Sequence, residues 1–423
     1  MITLGYEISK DRELIGFTQN KAKPKKNALV VDKGEAHLLT VAPTGAGKGR
    51  SSIIPTCLTY PGSLIVLDPK GEAANVTAGV RRKLGKVYVI DPFKVSTNDC
   101  DHLNPLSMIV DELPLEFQGM MLAKAITGDT NSFSSDPYWD NMATDLISGA
   151  IIAELQNNRC LADFRKMLIN GDVDYNLALL LDTKKDLNPL AFDLISTYLQ
   201  VPAEKTRPCV LSTAQQYLSA LGEPAVLESM SNRNAITTEE IIKGEQFTIY
   251  LVIPPNKLRA FKQVLRLWVT SLLNVLGERK SRPPIPTLFI LDECGNLGRM
   301  EEILSSVTLM RSYGLRLWLF FQDFGQMKQL YPKDWTTLVN NCDVVQAFGI
   351  RNYMMAKETA DIVGEFSAAE LLKMDTQNAV VALNGIPAKM IKRVDYLKDK
   401  PYTDIGFSKN PFYIGPSEIQ GTN

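Results

Sequence analysis

A lysine in a glycine-rich turn is the feature of this sequence that most directly indicates chemistry. The turn reads Pro43-Thr44-Gly45-Ala46-Gly47-Lys48-Gly49-Arg50 and follows the apolar run Leu38–Ala42. Backbone N–H groups in such a turn point inward and bind anions, and the N-terminus of a following helix adds partial positive charge. The Lys48 ammonium can reach the outer phosphates of a nucleotide. We therefore expect residues 43–50 to bind ATP.

The turn departs from the P-loop pattern at both ends. Ala42 replaces the first glycine, and Gly49 replaces the Ser or Thr whose hydroxyl usually binds magnesium. The alternative interpretation is a flexible glycine-rich loop without function. A strand before the turn and a helix predicted over 51–58 favour the nucleotide site, because that context defines a P-loop.

A second candidate motif is an apolar run that ends in two adjacent acids. Thr287–Leu291 is followed by Asp292 and Glu293. The first acid can orient Mg²⁺ through water, and the second can polarise the water that attacks the γ-phosphate. Ligands of open α/β sheets bind at the carboxyl ends of the strands, so we expect both acids to lie near Lys48.

Two further residues downstream could act on a nucleotide. Gln322 ends the apolar run Leu315–Phe321, and Arg311 precedes that run. A glutamine at a strand tip can sense the γ-phosphate, and an arginine can enter the site of a neighbouring subunit to stabilise transition-state charge. Spacing alone favours the simpler alternatives, a solvated arginine and a strand-capping amide.

The order of apolar segments predicts an α/β fold. Short buried runs recur between helical patterns at 38–42, 64–67, 87–90, 247–253, 288–291, 315–321 and 344–348. This alternation is typical of a mainly parallel sheet with helices on both faces. Helical periodicity without strand signals fills most of the gap between the third and fourth runs. We predict an N-terminal extension (1–30), a nucleotide-binding domain (31–105 and 240–400), an inserted all-α domain (106–239) and a loosely ordered C-terminal tail (401–423).

Composition indicates a large protein with reduced thiols. The chain has 423 residues, 45% of them hydrophobic, and a net charge of −1. Its six cysteines are scattered and its two histidines are far apart, which predicts neither disulfides nor a zinc site. No window approaches the roughly 18 to 20 apolar residues of a membrane span, and residues 1–20 do not form a signal peptide. We expect a cytoplasmic location.

Several segments resemble the TraG-type coupling proteins of type IV secretion and conjugation, in colinear order over roughly residues 30–370. These segments are the Gly47-Lys48-Gly49 turn with Ile54-Pro55, the run 60–72 (YPGSLIVLDPKGE), the run 89–93 (VIDPF) with 103–106 (LNPL), the run 136–140 (DPYWD) with Ala143, the run 249–255 (IYLVIPP), the stretch from Leu291-Asp292-Glu293 through Arg311-Ser312-Tyr313-Gly314 to Gln322 and Gln326, and Asn340-Asn341-Cys342.

The resemblance implies a RecA-like P-loop ATPase that uses ATP and Mg²⁺. Such proteins form hexameric rings at the cytoplasmic mouth of a secretion channel and pass DNA–relaxase complexes or protein effectors to it. Their inserted all-α domain helps to select cargo. Carried over by position, Lys48 binds phosphate, Asp292 serves magnesium, Glu293 activates water and Gln322 senses nucleotide, while Arg311 resembles an arginine finger acting in trans.

Typical members carry transmembrane helices near the N-terminus, whereas this sequence has none. We expect either a separate membrane subunit, which would hold the protein at the inner face of the bacterial membrane, or a soluble variant. For the isolated protein, a homo-hexamer and a monomer that assembles when substrate arrives both stay open. Two alternative functions stay open. One is a DNA-pumping translocase unrelated to secretion, and the other is a cargo adaptor that binds nucleotide with little turnover. Glu293 counts against the adaptor, because binding alone does not need it.

Two charged segments permit more than one interpretation. In Asp68-Pro69-Lys70-Gly71-Glu72, the acids could face the phosphates and Lys70 a central pore, or the segment could simply begin a helix. Two sets of basic residues form either a DNA-tracking surface or solvated helix faces. The sets are Arg81-Arg82-Lys83-Lys86 and Lys257-Arg259-Lys262-Arg266.

Overall fold

The computed structural model of this protein describes residues 1–8, 28–128, 137–157, 160–232 and 236–412. The strands are β1 (Ile2–Glu7), β2 (Leu29–Asp32), β3 (His37–Val41), β4 (Leu64–Leu67), β5 (Lys86–Ile90), β6 (Phe247–Leu251), β7 (Thr287–Leu291), β8 (Leu315–Phe321), β9 (Cys342–Ala347), β10 (Asn378–Leu383) and β11 (Ile386–Lys392).

The helices are α1 (Ile54–Thr59), α2 (Glu72–Arg81), α3 (Leu115–Thr127), α4 (Pro137–Gln156), α5 (Leu161–Ile169), α6 (Val173–Thr183), α7 (Pro189–Gln200), α8 (Thr206–Tyr217), α9 (Pro224–Ser229), α10 (Thr238–Lys243), α11 (Lys262–Gly277), α12 (Glu301–Leu309), α13 (Phe324–Leu330), α14 (Trp335–Asn340), α15 (Tyr353–Val363) and α16 (Ala368–Leu372). A π-helical turn, Gly49–Ile53, leads into α1, so the helix predicted over 51–58 starts in π rather than α geometry.

The strands form one sheet in the order β2-β1-β11-β10-β9-β3-β8-β7-β4-β6-β5. The seven strands from β9 to β5 are parallel to one another, as the apolar runs predicted. All residues of β3, β4, β6, β7 and β8 are buried. Strands covered on both faces require apolar side chains on both faces, which explains their continuous hydrophobic runs. The predicted α/β fold class is confirmed.

Strand order brings three chain segments to one edge of the sheet. β8 lies between β3 and β7 and pairs in parallel with both. The carboxyl ends of these three strands therefore lie side by side. β3 is followed by the P-loop, β8 by Gln322 and β7 by the Asp292-Glu293 pair. This arrangement positions the predicted site residues.

The chain between β5 and β6 forms the inserted helices α3 to α10. Their apolar faces join the same continuous core as one face of the sheet. The outgoing and returning segments are bonded to each other, since Leu103 N donates to Ser229 O at 2.8 Å and Asn104 Nδ2 to Asn232 Oδ1 at 2.7 Å. Within the helices, Tyr217 Oη donates to a buried Asp140 carboxylate at 2.8 Å. None of the helices in the described part of the chain is long and apolar enough to cross a membrane.

Both ends of the chain differ from the sequence-based expectation. The sheet starts at Ile2 rather than near residue 30, because β1 pairs antiparallel with β2 and β11. The four antiparallel strands β1, β2, β10 and β11 were not predicted, since each mixes buried with partly or fully exposed residues over four to seven positions. The expected loose tail also packs on the domain up to residue 412, with Tyr402 and Asn410 buried. Residues 9–27 of the expected extension and 413–423 of the expected tail lie outside the described residues.

Candidate nucleotide-binding and catalytic site

The turn after β3 has the backbone of an anion-binding nest. Gly45 and Gly47 adopt φ values of 77° and 90°, a region that side chains other than glycine rarely occupy. Left-handed residues within such a turn direct successive N–H groups to one side. The local sequence therefore produces a phosphate-binding shape in spite of Ala42 and Gly49.

Two arginines of distant segments support the turn from outside, and Arg50 at the end of the turn is itself paired; the sequence interpretation assigned a site role to Arg50 alone. Arg393 Nη1 donates to Ala46 O at 2.7 Å, and Arg351 Nη2 donates to Thr44 O at 3.2 Å. Arg50 forms a bidentate pair with Asp395 at 2.7 and 2.5 Å. Arg50 lines the cleft, but its guanidinium is engaged by that carboxylate rather than free for phosphate. The arginines of distant segments carried no local sequence signal.

The Glu293 carboxylate lies between two side chains of the site. Lys48 Nζ donates to Glu293 Oε1 at 2.7 Å, and Gln322 Nε2 donates to Glu293 Oε2 at 2.8 Å. Asp292 Oδ1 lies 3.7 Å from the Lys48 ammonium. The expected proximity of both acids to Lys48 is therefore present. Each Glu293 carboxylate oxygen therefore accepts one of these two hydrogen bonds and keeps a further acceptor site.

Glu293 has a backbone conformation that is unusual for its type. Its φ and ψ are 56° and 42°, in the left-handed region, and such outliers concentrate at functional sites where surrounding contacts enforce them. One enforcing contact is local, because Asp292 Oδ1 accepts a hydrogen bond from Glu293 N at 3.0 Å. The bend turns the Glu293 side chain from the line of β7 toward the P-loop.

Asp292 fits the role of a magnesium-supporting acid. Burial raises the pKa of its carboxyl to about 6, although the Lys48 ammonium opposes this shift. No group of three or more acid, His or Cys side chains forms a metal cage among the described residues. Mg²⁺ is usually held by one or two carboxylates, waters and substrate phosphates, and Asp292 is a carboxylate that lines this cleft. Ser51 Oγ donates to Gly47 O at 2.9 Å and accepts from Arg393 Nη1 at 3.3 Å, so its hydrogen and one of its lone pairs are used within the protein.

The cleft above these residues has a volume of about 570 Å³. Volumes of 300–1,000 Å³ are typical of small-molecule sites. Its walls include the 68–72 segment, where Asp68 accepts hydrogen bonds from Glu72 N at 3.1 Å and Ala74 N at 2.8 Å. Asp68 therefore caps α2, which supports the helix-start interpretation, while Lys70 and Glu72 line the cleft.

Gln326 acts on the site through Gln322. Its Oε1 accepts a hydrogen bond from Gln322 N at 3.1 Å. The Gln326 amide packs directly over Gly295, where an added Cβ would lie 2.3 Å from Gln326 Cδ. The family resemblance included Gln326. The requirement for glycine at position 295 could not be predicted from the sequence, because it depends on this contact with Gln326.

Arg311 is not part of its own subunit's cleft. It lies in the exposed 3₁₀ turn Met310–Tyr313, before the start of β8, whereas the cleft lies beyond the opposite end of that strand. The structure thus brings together Lys48, Asp292, Glu293 and Gln322 and leaves Arg311 at the other edge of the sheet.

Two residues of the basic sets are structural. Arg81 is 1% exposed and donates to Thr248 Oγ1 at 2.8 Å. Arg266 is 4% exposed and donates to Ala125 O at 2.9 Å and Arg299 O at 2.6 Å. Neither is DNA-tracking surface or a solvated face, so both sequence interpretations are wrong for these two residues. Helical spacing did not reveal that they point inward.

The fold and this site define the class: a RecA-like P-loop NTPase with an inserted all-α domain. The solved structure of the conjugative coupling protein TrwBdeltaN70 has the same fold, with a TM-score of 0.67, 14% identity and coverage of 85% of each chain. A structure of the plasmid coupling protein TrwB in complex with ADP and Mg²⁺ is similar at a TM-score of 0.67 and 13% identity, with 89% of this chain and 88% of that chain covered.

The family model for type IV secretory system conjugative DNA transfer matches residues 6–368. The chain therefore belongs to that family. It is 26% identical over 400 residues to the conjugal transfer protein TraG of Escherichia coli, covering 85% of this chain and 62% of that protein. It is 24% identical over 355 residues to the type IV secretion system-coupling protein VirD4 of Bartonella quintana, covering 80% of this chain and 54% of that protein. The chain thus spans between half and two thirds of these curated relatives.

Proposed function

We propose that this protein is a Mg²⁺-dependent ATPase that couples ATP hydrolysis to transfer of cargo by a type IV secretion or conjugation system. The observation that carries the proposal is the Glu293 carboxylate held between Lys48 and Gln322 at the tips of adjacent strands. A protein that only binds nucleotide has no need for a carboxylate fixed beside its phosphate-binding lysine.

The site residues have separate roles in the proposed reaction. The 43–50 turn binds the phosphates through its N–H groups, and Lys48 moves from Glu293 to the β- and γ-phosphate oxygens. Glu293, released by Lys48, then accepts a hydrogen bond from the attacking water and polarises it. Asp292 would hold Mg²⁺, which neutralises charge on the β- and γ-phosphates when bound.

Gln322 links the state of the phosphate to the sheet. Its side chain contacts Glu293 and its backbone N–H is held by Gln326. A γ-phosphate that draws the Gln322 amide away from Glu293 therefore also changes the start of α13. This coupling would transmit hydrolysis to neighbouring elements.

Arg311 would complete the site of a neighbouring subunit. Its exposure and its location away from its own cleft suit a group that acts in trans, as an arginine finger does. A homo-hexameric ring is the proposed active assembly, and a separated monomer should hydrolyse ATP slowly.

The family and the names of its members indicate the partners. TraG is a conjugal transfer protein and VirD4 a secretion-system coupling protein. We infer single- or double-stranded DNA with its relaxase, or protein effectors, as cargo, and the secretion machinery at the inner face of the bacterial membrane as partner. A separate membrane subunit would supply the tether.

The test is ATP turnover of the purified protein over a range of protein concentrations, with and without single-stranded DNA, against Glu293→Gln as the blank. The proposal predicts turnover per subunit that rises with concentration, increases with DNA and vanishes in the variant. ATP binding without turnover, even after addition of secretion partners, would instead identify a cargo adaptor. Capture of relaxase or effector candidates separates a secretion ATPase from a packaging translocase.

A further inference from the structure

The cleft has two chemically different walls. One wall carries the charged side chains Lys48, Asp292 and Glu293, which suit phosphates and metal. The other is formed by Leu397 and Phe412 of the C-terminal segment together with Ile53 after the P-loop. A nucleoside triphosphate has the same division, with a charged end and a flat, largely apolar base.

The C-terminal segment is fixed to the P-loop side of the cleft by a buried amide. Asn410 is 5% exposed, and its Nδ2 donates to Glu72 Oε1 at 2.6 Å and to Tyr396 Oη at 2.9 Å. Glu72 in turn lies against the P-loop, since an added Cβ on Gly49 would be 3.3 Å from Glu72 Oε2. These contacts connect residue 410 to the turn that binds phosphate.

The same amide orients the residue that follows it. Asn410 Oδ1 accepts a hydrogen bond from Phe412 N at 2.9 Å. A second attachment holds the start of the segment, because Asp395, which pairs with Arg50, also accepts a hydrogen bond from Leu397 N at 3.2 Å. Phe412 is therefore presented to the cleft by a segment with defined contacts at both ends.

Phe412 differs from the other aromatic residue of this wall. Its side chain lines the cleft while it remains 54% exposed. Tyr396 is 0% exposed and packs edge-on against Phe407 at a centroid distance of 5.1 Å. An exposed ring beside a nucleotide cleft gives up water-exposed apolar surface when a base stacks on it.

We propose that Phe412 is the stacking platform for the base of the bound nucleotide and that Asn410 is its positioning residue. The inference rests on the proposed nucleotide binding. Stacking does not distinguish bases, and both amide hydrogens of Asn410 are used within the protein. The wall therefore holds purine nucleotides with little preference between ATP and GTP.

The test compares ligands that have a base with one that lacks it. Isothermal titration with ATP, GTP and inorganic tripolyphosphate is performed on the full chain and on Phe412→Ala, Phe412→Trp and Asn410→Ala. Phe192→Ala is the matched control, since Phe192 is a 42% exposed phenylalanine on α7.

Phe412→Ala should weaken ATP and GTP binding by about 5- to 100-fold, the range expected for loss of one stacked base. Tripolyphosphate affinity should change by less than about twofold, because the phosphate site is intact. Phe412→Trp should bind ATP at least as well as the parent. Asn410→Ala should show a smaller loss for ATP and GTP and none for tripolyphosphate. A protein that combines Asn410→Ala with Phe412→Ala, titrated in the same way, should lose little more affinity than Phe412→Ala, as coupled residues do.

Equal ATP affinity in Phe412→Ala and the parent would overturn the inference. Parallel losses for ATP and tripolyphosphate would also overturn it, because they would mean that the variant disturbs the P-loop. If the parent chain binds neither ATP nor tripolyphosphate, the proposed function itself fails.

Discussion

Replacing Glu293 by Gln should strengthen ATP binding and slow ATP hydrolysis. The substitution keeps the size of the side chain and removes its charge. It thereby removes the carboxylate that holds the Lys48 ammonium at 2.7 Å, leaving Asp292 at 3.7 Å as the remaining acid near that ammonium. Lys48 then breaks a weaker interaction when it moves to a phosphate, and the attacking water loses the carboxylate that accepts its hydrogen bond.

The magnitudes follow from these contacts. The amide oxygen of Gln can still accept a hydrogen bond from the Lys48 ammonium, but the ion pair between the two side chains is lost. An ion pair that is not fully buried contributes about 1 kcal/mol, so ATP should bind about 5-fold more tightly. Loss of a positioned proton acceptor should lower single-turnover hydrolysis by about 10²- to 10⁴-fold.

Titration calorimetry of ATP and a single-turnover assay at saturating protein measure the two effects independently. Glu204→Gln, in the exposed turn between α7 and α8, is the matched control and should change neither quantity. Weaker ATP binding by Glu293→Gln would refute the competition between Glu293 and phosphate for Lys48. Turnover above about a tenth of the parent rate would refute the role of Glu293 in water activation.

Three further substitutions test the supporting structure. Burial lowers the pKa of His37 from 6.5 to about 4. As the pH falls, His37 therefore binds a proton in the unfolded chain before it does so in the folded chain. The free energy of unfolding should fall by about 3 kcal/mol as the pH drops from 6.5 to 4. The Asn side chain of His37→Asn can still accept the hydrogen bond from Leu317 N. Urea unfolding at several pH values should show that the variant lacks this part of the pH dependence. The same pH dependence in variant and parent would contradict the assignment of this effect to His37. Gly295→Ala should displace the Gln326 side chain, reduce ATP turnover about tenfold and change the free energy of unfolding by less than about 1 kcal/mol. Gln326→Ala should reduce turnover to a similar extent. Unchanged turnover in both variants would show that Gln326 has no part in the mechanism.

The parallel half of the fold was predictable because burial on both faces leaves a direct trace in the sequence. β3, β7 and β8 read as continuous apolar runs that end in the P-loop, the acid pair and Gln322. Once parallel strands are assumed, their carboxyl ends must share an edge, so the contact between Lys48 and Glu293 followed from the sequence. Chemistry placed at strand tips is readable in this way.

The remaining features depend on contacts between distant segments. β11 reads IPAKMIK, in which only Ile391 is buried, and this pattern does not distinguish a strand from a loop. Arg393 reaches the P-loop from more than 300 residues downstream, and Asn410 reaches Glu72 across a similar separation. Neither residue type indicates its partner, so the supports of the site and the C-terminal wall of the cleft needed the three-dimensional structure.

In the proposed ring, one subunit supplies Lys48 and its neighbour supplies Arg311 to the same site. The most direct test of this arrangement mixes Lys48→Ala and Arg311→Ala proteins, each inactive alone, and measures ATP turnover of the mixture. Random assembly leaves both residues intact at about one interface in four, so the mixture should recover about a quarter of the parent rate. A mixture no more active than its components, or an Arg311→Ala protein as active as the parent, would contradict the account.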